Sequence, residues 1–172
     1  ADILQGLTPH LGCYGVLGNH DCWHSPSIVQ KELERTGIHI LTNRGEKLTV
    51  NGESLWLGGT DSIWAGTPDL SRAMPENRDI PSILLIHEPD YADTVARQDR
   101  ALLHLSGHTH GGQVRAPFLG APVTVTLVDK YVKGLHQLGK VTLYVNRGIG
   151  CTGLGVRFAC PPEITSIQLQ HA

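Results

Sequence analysis

Histidine and asparagine side chains occur in three short segments of the sequence, and each segment follows an apolar run. The candidate residues in these segments are Asn19, His20, His87, His108 and His110. The densest segment, LSGHTHGGQ at residues 105–113, places two histidines among three glycines, which allow the chain to bend so that both imidazoles approach one centre. Neutral imidazoles and an amide oxygen suit zinc, manganese or iron better than calcium or magnesium. These side chains therefore predict a metal site.

Three nearly continuous apolar runs precede the polar segments. They are CYGVLG at residues 13–18, ILLIH at residues 83–87 and ALLHLSG at residues 101–107. Their composition is typical of strands that are covered on both faces, so we expect central strands of a layered α/β fold. In open α/β sheets, ligands bind at the carboxyl ends of the strands. The three polar segments are therefore predicted to meet in one crevice.

The rest of the chain predicts helices and antiparallel strands around this sheet. In SPSIVQKELERTG, Ser25 stands as the N-cap, Pro26 at the first helical position and Gly37 just past the end, which indicates a helix. KLTVNGESLWLGG alternates apolar and polar residues around Asn51 and Gly52, the typical signal of a β-hairpin. Further strands are predicted at residues 123–128, 131–135, 141–146 and 163–169. The predicted fold class is α/β, an α/β sandwich.

Composition restricts the class of protein but not its substrate. The chain has 172 residues, 40% of them hydrophobic, which predicts one domain over residues 1–172. Its formal net charge is −2. Lysine and arginine form no cluster that would attract a nucleic acid or an anionic membrane. No apolar run approaches the roughly 20 residues of a transmembrane helix. The four cysteines lack C-x-x-C spacing and are interpreted as buried thiols, with disulfides as the alternative.

Each polar segment also has a purely structural interpretation. GNHD suits a turn, because Asn and Asp tolerate turn geometry and Asp21 can accept backbone N–H bonds. His87 alone can be a hydrogen-bonded histidine at a strand end. Arg147, in NRGIG, can contact a phosphate or can be a surface residue. A metal site is preferred because the three segments coincide at three strand ends, and a structural or interaction domain with incidental histidines is the competing class.

These segments resemble a known family, the calcineurin-like metallophosphoesterases. GNHD, the single histidine of ILLIHEPD and GHTH are similar to three of its signature blocks, in the same order. LSGHTHGGQV and LYVNRGIGCTGLGVRF resemble its bacterial branch of small phosphodiesterases, some of which act on lipid-linked sugar nucleotides such as UDP-2,3-diacylglucosamine. The resemblance implies a sandwich of two mixed β-sheets flanked by helices, and metal-dependent hydrolysis of phosphodiester or pyrophosphate bonds.

The resemblance also implies a role for each candidate side chain. Asn19, His87 and His108 would bind one ion of a dinuclear pair, and His110 would bind the other. His20 would face the phosphate as the catalytic residue that stabilises developing charge and assists the leaving group. Two divalent ions of manganese, zinc or iron would activate a hydroxide for attack on phosphorus. The implied partner is a phosphoester substrate, and no nucleic acid is implied.

The sequence departs from the family pattern at its beginning. The family starts with a strand that ends in D-x-H and a second strand that ends in G-D, and neither block occurs in this sequence. We therefore expect residues 1–172 to represent the C-terminal two-thirds of the domain, missing its first strands, and to be inactive or weakly active alone. The alternative is a catalytically impaired metal-binding fragment or pseudo-enzyme of the same family. Asp61, in GGTDS, matches no family ligand.

Overall fold

The computed structural model describes residues 2–116, 118, 120–121, 130–153 and 155–170. Its helices are α1 (Asn19–His24), α2 (Pro26–Glu34), α3 (Leu70–Ala73) and α4 (Ala92–Gln98). Its strands are β1 (Cys13–Gly15), β2 (Ile38–Ile40), β3 (Arg44–Val50), β4 (Glu53–Gly59), β5 (Ser82–Leu85), β6 (Leu103–Ser106), β7 (Gly134–Leu138) and β8 (Val141–Val145). Short 3-10 turns lie at Asp2–Leu4, Pro89–Tyr91 and His110–Gly112. Among these described helices, none has the length and apolar character that crossing a membrane requires.

Six strands form one mixed sheet in the order β3-β4-β5-β6-β8-β7. β4, β5, β6 and β8 run parallel, whereas β3 and β7 pair antiparallel at the two edges. β5 and β6 lie at the centre, where the sequence predicts them, and the α/β class with a mixed sheet flanked by helices is confirmed. In the register of this central pair, Leu85 lies opposite Leu105. The two strands therefore end side by side.

Strand β1 lies in a different place from the one that its sequence predicts. It pairs in parallel with β2, with Gly15 opposite Ile40, in a two-stranded sheet separate from the large one. The prediction of a central strand at residues 13–18 is therefore wrong, and the expected second mixed sheet is a parallel pair in the described residues. An apolar run indicates burial on both faces, but it does not identify the neighbouring strands.

Helix α2 and the β3–β4 hairpin form where the sequence predicts them. Pro26 begins α2 as predicted, but the helix ends at Glu34, and Gly37, with a φ of 86°, follows after a short turn. The Ser25 side chain makes no capping bond. Asn51 and Gly52 have φ angles of 52° and 86°. Positive φ at both central residues is what a type I′ hairpin turn requires, and it fixes the register of the two strands.

The C-terminal third contains fewer strands than predicted. β7 and β8 form the expected antiparallel pair, whereas residues 163–169 form no strand and residues 123–128 lie outside the described residues. Ile164 is 90% exposed, so the alternating pattern of this segment does not reflect a buried face. The Glu163 carboxylate is instead directed to side chains of the preceding segment, which anchors the C-terminal residues without sheet pairing.

The hydrophobic core lies between the large sheet and the helices α3 and α4. Its buried side chains include Leu70, Ala73, Met74, Leu84, Ile86, Val95, Ala101 and Val141. A second cluster of buried residues consists of Ala92, Tyr131, Leu143 and Val145. All four cysteines are free thiols, as the sequence predicts. Only Cys160 is buried, whereas Cys13 and Cys22 are partly buried and Cys151 is exposed. The core therefore supports the centre of the sheet without disulfides.

Candidate metal centre

Three of the predicted side chains meet at the carboxyl ends of the strands. His87 lies two residues beyond β5, His108 lies two residues beyond β6, and Asn19 begins α1. The His108 Nδ1 is 3.2 Å from the Asn19 Oδ1, and the His87 and His108 ring centroids are 5.1 Å apart. The Gly107 N–H donates to the His87 carbonyl at 3.0 Å, so strand pairing fixes the two histidines relative to each other. The cleft that they line has a volume of about 290 Å³ and contains all five predicted residues.

Gly18 allows the GNHD segment to approach the His87 imidazole. A Cβ atom at this position would lie 2.7 Å from two atoms of the ring, which is closer than van der Waals contact permits. The Gly18 N–H donates to the Asp21 carboxylate at 2.9 Å, which closes the first turn of α1. The interpretation of Asp21 as a residue that orders this turn is confirmed, and the glycine is required by close contact with a site residue.

The GHTHGGQ loop bends through residues in the left-handed region of φ. His108, His110 and Gln113 have φ angles of 66°, 52° and 43°, and Gly111 and Gly112 have φ angles of 64° and 79°. We expected the glycines to provide the bend, but the two candidate histidines themselves adopt this conformation. Non-glycine residues held in this region cost roughly 1–3 kcal/mol each, and they concentrate at functional sites.

Hydrogen bonds from outside the loop hold it in this conformation. The Thr109 hydroxyl donates to the Val132 carbonyl at 2.6 Å and accepts the Gly111 N–H at 3.1 Å. The Arg157 guanidinium donates to the His110 carbonyl at 3.2 Å. The cost of the strained backbone is therefore offset by contacts with two other segments of the chain.

His110 and His20 also line the cleft, but each has its own surroundings. The His110 Nδ1 is 3.3 Å from the Gly150 carbonyl oxygen. His20 is exposed, and its ring packs edge-on against Trp23 with the centroids 5.2 Å apart. The structure therefore brings the three central residues into contact and places these two histidines around them.

Two residues that the sequence analysis did not identify, Glu88 and Trp64, surround the central histidines. The ligand atoms of His87, Glu88 and His108 lie within 4.8 Å of one another. Glu88 is fully buried and accepts two hydrogen bonds from the loop after β4, and Trp64 packs edge-on against His108 with the centroids 4.5 Å apart. The sequence could have identified Glu88, because this residue directly follows the predicted ligand His87. No feature of the sequence indicates that Trp64 lies beside the site.

Burial keeps the His87 imidazole neutral. Desolvation is the largest of the causes that lower the pKa of His87 to about 4, and the nearby His108 and His110 lower this pKa further. The Glu88 and Asp21 carboxylates raise the pKa of His87 but do not offset its burial. At neutral pH the ring therefore keeps a lone pair available for a metal ion.

Known proteins similar to this chain are named as metallophosphoesterases or as a phosphodiesterase. The uncharacterized metallophosphoesterase YkuE of Bacillus subtilis (strain 168) is 36% identical, over 98% of this chain and 59% of its own length. The phosphodiesterase YaeI of Escherichia coli (strain K12) is 33% identical, over 98% of this chain and 62% of its own length. An uncharacterized metallophosphoesterase of Helicobacter pylori (strain ATCC 700392 / 26695) is 32% identical, over 96% of this chain and 45% of its own length.

These similarities, which extend over nearly the whole chain, support the calcineurin-like metallophosphoesterase family. The chain spans about three-fifths of the length of the first two of these relatives, 59% and 62%. No family model and no solved structure matches the chain.

The central residues Asn19, His87 and His108 fit a divalent metal ion. Two ligand atoms that bind one ion at about 2.1 Å lie about 3.0 Å apart at an octahedral angle and about 3.4 Å apart at a tetrahedral angle. The 3.2 Å separation of the His108 Nδ1 and the Asn19 Oδ1 falls between these values. Both side chains are buried, and the neighbouring His87 is neutral. The donor types and their spacing therefore agree with the divalent metal that the family name implies.

Arg147 forms an ion pair with Glu163. The hydrogen bond to Glu163 is the main cause that raises the pKa of Arg147. The pKa of Glu163 falls to about 2, first because the Tyr144 hydroxyl donates to its carboxylate and also because of Thr165 and Arg147. This pairing favours a structural role for Arg147 in anchoring the C-terminal segment over a contact with phosphate.

Proposed function

We propose that this cleft hydrolyses phosphoester bonds with bound divalent metal ions, and that phosphodiesters are its substrate class. The observation that carries the proposal is the contact between Asn19 and His108 beside the neutral His87, at adjoining strand ends. A relative named as a phosphodiesterase supports the same substrate class. The resemblance adds a finer proposal, a pyrophosphate bond in a lipid-linked sugar nucleotide.

The proposed ligands divide between two ion positions. Asn19, His87 and His108 would hold one ion, and His110 would contribute to a second, with manganese, zinc or iron as the metal. When bound, the ions supply Lewis acidity and lower the pKa of bound water, so that hydroxide is present at neutral pH. The Gly150 carbonyl beside the His110 Nδ1 favours the tautomer with the proton on Nδ1, which leaves Nε2 as the donor atom for the second ion.

His20 is proposed as the catalytic residue. Its imidazole lines the cleft but is exposed, in contrast to the buried His87 and His108. An N–H of this ring would stabilise charge on the phosphoryl oxygens and donate a proton to the leaving oxygen. Because the ring is open to solvent, water can return a proton to it after each turnover. Its contact with Trp23 supports the ring orientation without removing it from the cleft.

A second candidate function is metal binding with little or no hydrolysis. The observation that favours it is a buried cluster of possible metal ligands, which consists of His87, Glu88 and His108 and does not include His110. A single ion held by this group would lack the second ion that clamps the attacking and leaving oxygens. This function corresponds to the impaired fragment or pseudo-enzyme that the sequence leaves open.

Metal titration combined with a diester assay tests both candidates. The metal-free chain would be titrated with Zn²⁺ and with Mn²⁺ and then assayed with bis(p-nitrophenyl) phosphate and p-nitrophenyl phosphate. Metal binding that His87→Ala abolishes, with turnover of the diester above background, supports the hydrolase. Binding without turnover supports the second candidate, and failure to bind either metal contradicts both. Release of UMP from UDP-2,3-diacylglucosamine tests the finer substrate proposal.

A further inference from the structure

The loop at residues 61–67 lies between β4 and α3 and carries Trp64 against His108. The two rings are 4.5 Å apart between centroids and inclined by 71°, which is an edge-to-face contact. The buried indole N–H of Trp64 makes no hydrogen bond within the described residues. The orientation of the indole therefore depends on packing and on the backbone of the loop, not on a hydrogen bond of its own.

The fully buried Glu88 carboxylate fixes the middle of this loop. One of its oxygens accepts a hydrogen bond from the Ser62 hydroxyl at 2.5 Å, and the other accepts the Ile63 N–H at 3.0 Å. The Ser62 hydroxyl in turn accepts the Ala65 N–H at 3.2 Å. These bonds fall on both sides of Trp64 in the sequence, so they define the turn that presents the indole.

Separate hydrogen bonds fix the two ends of the loop. The Asp61 carboxylate accepts the Thr67 N–H at 3.0 Å, and the Asn43 side-chain oxygen accepts the N–H groups of Asp61 and Asp69 at 3.0 and 2.8 Å. A Cβ atom at Gly66 would lie 2.2 Å from the Asp61 carboxylate carbon, so this glycine is needed for the close approach. A change at Glu88 therefore acts on the centre of the loop while its ends stay attached.

We infer that Glu88 is a positioning residue for the proposed metal ligand His108. It holds the turn at residues 62–65, and this turn keeps the Trp64 indole against the imidazole and fixes the plane of the ring. With Asn19 in contact at 3.2 Å, the His108 ring is constrained from two directions. Both Glu88 oxygens already accept hydrogen bonds, which favours this role over that of a third ligand. The inference rests on the proposed function, because His108 must bind a metal ion.

Zinc affinity measured on a small set of variants tests the inference. Trp64→Ala should weaken Zn²⁺ binding about tenfold, within the range for residues that orient a metal ligand. Trp64→Phe keeps an aromatic ring against His108 and should restore affinity to within about threefold of the parent. Glu88→Gln should weaken binding about tenfold. The double variant that combines Trp64→Ala with Glu88→Gln should have about the same zinc affinity as the single variant with the lower affinity. The two losses should not add, because both changes act through one contact.

A matched control and a metal-free measurement separate this role from general loss of structure. Asp69→Asn makes the same acid-to-amide change in the N-cap of α3 and should leave zinc affinity unchanged. Amide hydrogen exchange of the metal-free chain should be faster at Ile63 and Ala65 in Glu88→Gln than in the parent, with Thr67 unaffected. If Glu88→Gln does not fold, Ser62→Ala removes only the hydroxyl donor and should give the same pattern at smaller amplitude.

The outcomes distinguish the inference from the function on which it rests. Parent-like zinc affinity in Trp64→Ala overturns the inference and leaves the proposed metal site intact. A loss of affinity in Glu88→Gln without one in Trp64→Ala also overturns it, because Glu88 would then be a ligand. Failure of the unsubstituted chain to bind Zn²⁺ or Mn²⁺ overturns the proposed function and the inference together.

Discussion

Gly18 and Gly107 show that two glycines of similar short motifs serve different purposes. A Cβ atom at Gly18 would lie 2.7 Å from the His87 ring, whereas a Cβ atom at Gly107 would meet nothing within 4 Å. Neither glycine has a φ in the left-handed region. The first glycine is therefore required by contact with a proposed ligand, and the second is not required by sterics in the metal-free chain.

Gly18→Ala is expected to destabilise the chain by about 1–3 kcal/mol, because the added methyl group overlaps a ring in a packed site. It should also weaken Zn²⁺ binding, since the His87 imidazole must move. Urea unfolding of the metal-free chain and zinc titration measure the two effects. Gly107→Ala is the matched control and should change the free energy of unfolding by less than about 1 kcal/mol. Equal losses in the two variants would refute the steric argument for Gly18.

Replacement of His87 and His20 separates a proposed ligand from a proposed catalytic residue. His87→Ala should lower metal content together with activity, because a donor atom is removed. His20→Ala should leave metal content near the parent value while kcat falls by a factor on the order of 10² to 10⁴, because a positioned acid is removed. Metal analysis and kinetics of a longer, active version of the protein measure both.

A comparison of two leaving groups provides the control for the catalytic role proposed for His20. An activated aryl phosphodiester needs little protonation of its leaving oxygen, so His20→Ala should slow its hydrolysis less than that of an alkyl phosphodiester. Loss of metal from His20→Ala, or an equal loss of rate on both esters, would contradict the role proposed for this histidine.

At the scale of elements, Arg157 connects three segments around His110. Its guanidinium donates to the carbonyl oxygens of His110 and Cys160 at 3.2 and 3.3 Å, and to those of Arg147 and Gly150 at 2.7 and 2.6 Å. The planar fork of arginine can reach four acceptors in fixed directions, which the single ammonium group of lysine cannot do. This one side chain therefore holds the strained histidine loop against the segment after β8.

Arg157→Lys is expected to lower the free energy of unfolding by about 1–3 kcal/mol, because several partly buried carbonyl groups lose hydrogen bonds from a charged donor. It should also weaken binding of a second metal ion more than binding of the first, because His110 lies next to this connection and His87 does not. Unfolding by urea and metal stoichiometry at increasing Mn²⁺ concentration measure the two effects. Arg97→Lys, at a residue that donates to Thr94, is the control. A uniform effect on both ions would argue against a local role.

The central strand β6 also contains a buried histidine. The Ser106 hydroxyl donates to the Ile86 carbonyl at 2.7 Å, so it accepts the His104 Nε2–H at 2.8 Å. The His104 Nδ1 is buried and has no hydrogen-bond partner within the described residues. Desolvation lowers the pKa of His104 from 6.5 to about 3, so the folded chain keeps this ring neutral.

Stability should therefore fall as the pH is lowered through the range in which only the unfolded chain protonates His104. Between pH 6.5 and about pH 3 the unfolded chain binds one more proton at this residue, which lowers the free energy of unfolding by at most about 1.4 kcal/mol per pH unit. His104→Gln keeps a donor for Ser106 and does not titrate, so its slope should be smaller. Urea unfolding of both metal-free proteins from about pH 7 to about pH 4 measures the difference. Identical slopes would show that His104 does not contribute.

The sequence predicts elements well where local chemistry decides them. Pro26 begins α2, Gly37 lies in the turn that follows it, and Asn51 with Gly52 specifies the hairpin, because these residues have strong backbone preferences of their own. The same reasoning fails for β1, since an apolar run does not specify its neighbours. It also fails for the position of Trp64 and for the positive φ of the site histidines, because both involve contacts between segments distant in sequence.

At the scale of the whole molecule, the chain carries part of what the longer relatives contain. It spans 59% of YkuE and 62% of YaeI. Among the described residues, the proposed ligands Asn19, His87 and His108 lie together, and His110 stands outside the buried cluster. We propose that residues 1–172 form one domain whose first ion position is nearly complete and whose second requires further ligands besides His110.

The isolated chain with Mn²⁺ should therefore hydrolyse bis(p-nitrophenyl) phosphate slower, by a factor on the order of 10² or more, than a longer version that carries the D-x-H and G-D blocks. The physical reason is that a poorly held second ion neither polarises the phosphate nor positions the nucleophile. Steady-state rates at matched metal concentration, with His87→Ala of each protein as the background, provide the comparison. Equal turnover by the two versions would contradict the need for those blocks.

The backbone bond from Gly107 to the His87 carbonyl has a consequence for protein design. Neighbouring strands in a sheet are about 4.8 Å apart, so two residues placed at equal distances beyond adjoining parallel strands start from a separation that the main chain sets. The sheet therefore determines the distance between the two backbone positions, and the choice of side chain adjusts only the final separation of the imidazole rings. A two-residue extension ending in histidine, grafted onto another pair of parallel strands with a glycine facing the first ring, should reproduce the spacing of this pair on an unrelated scaffold.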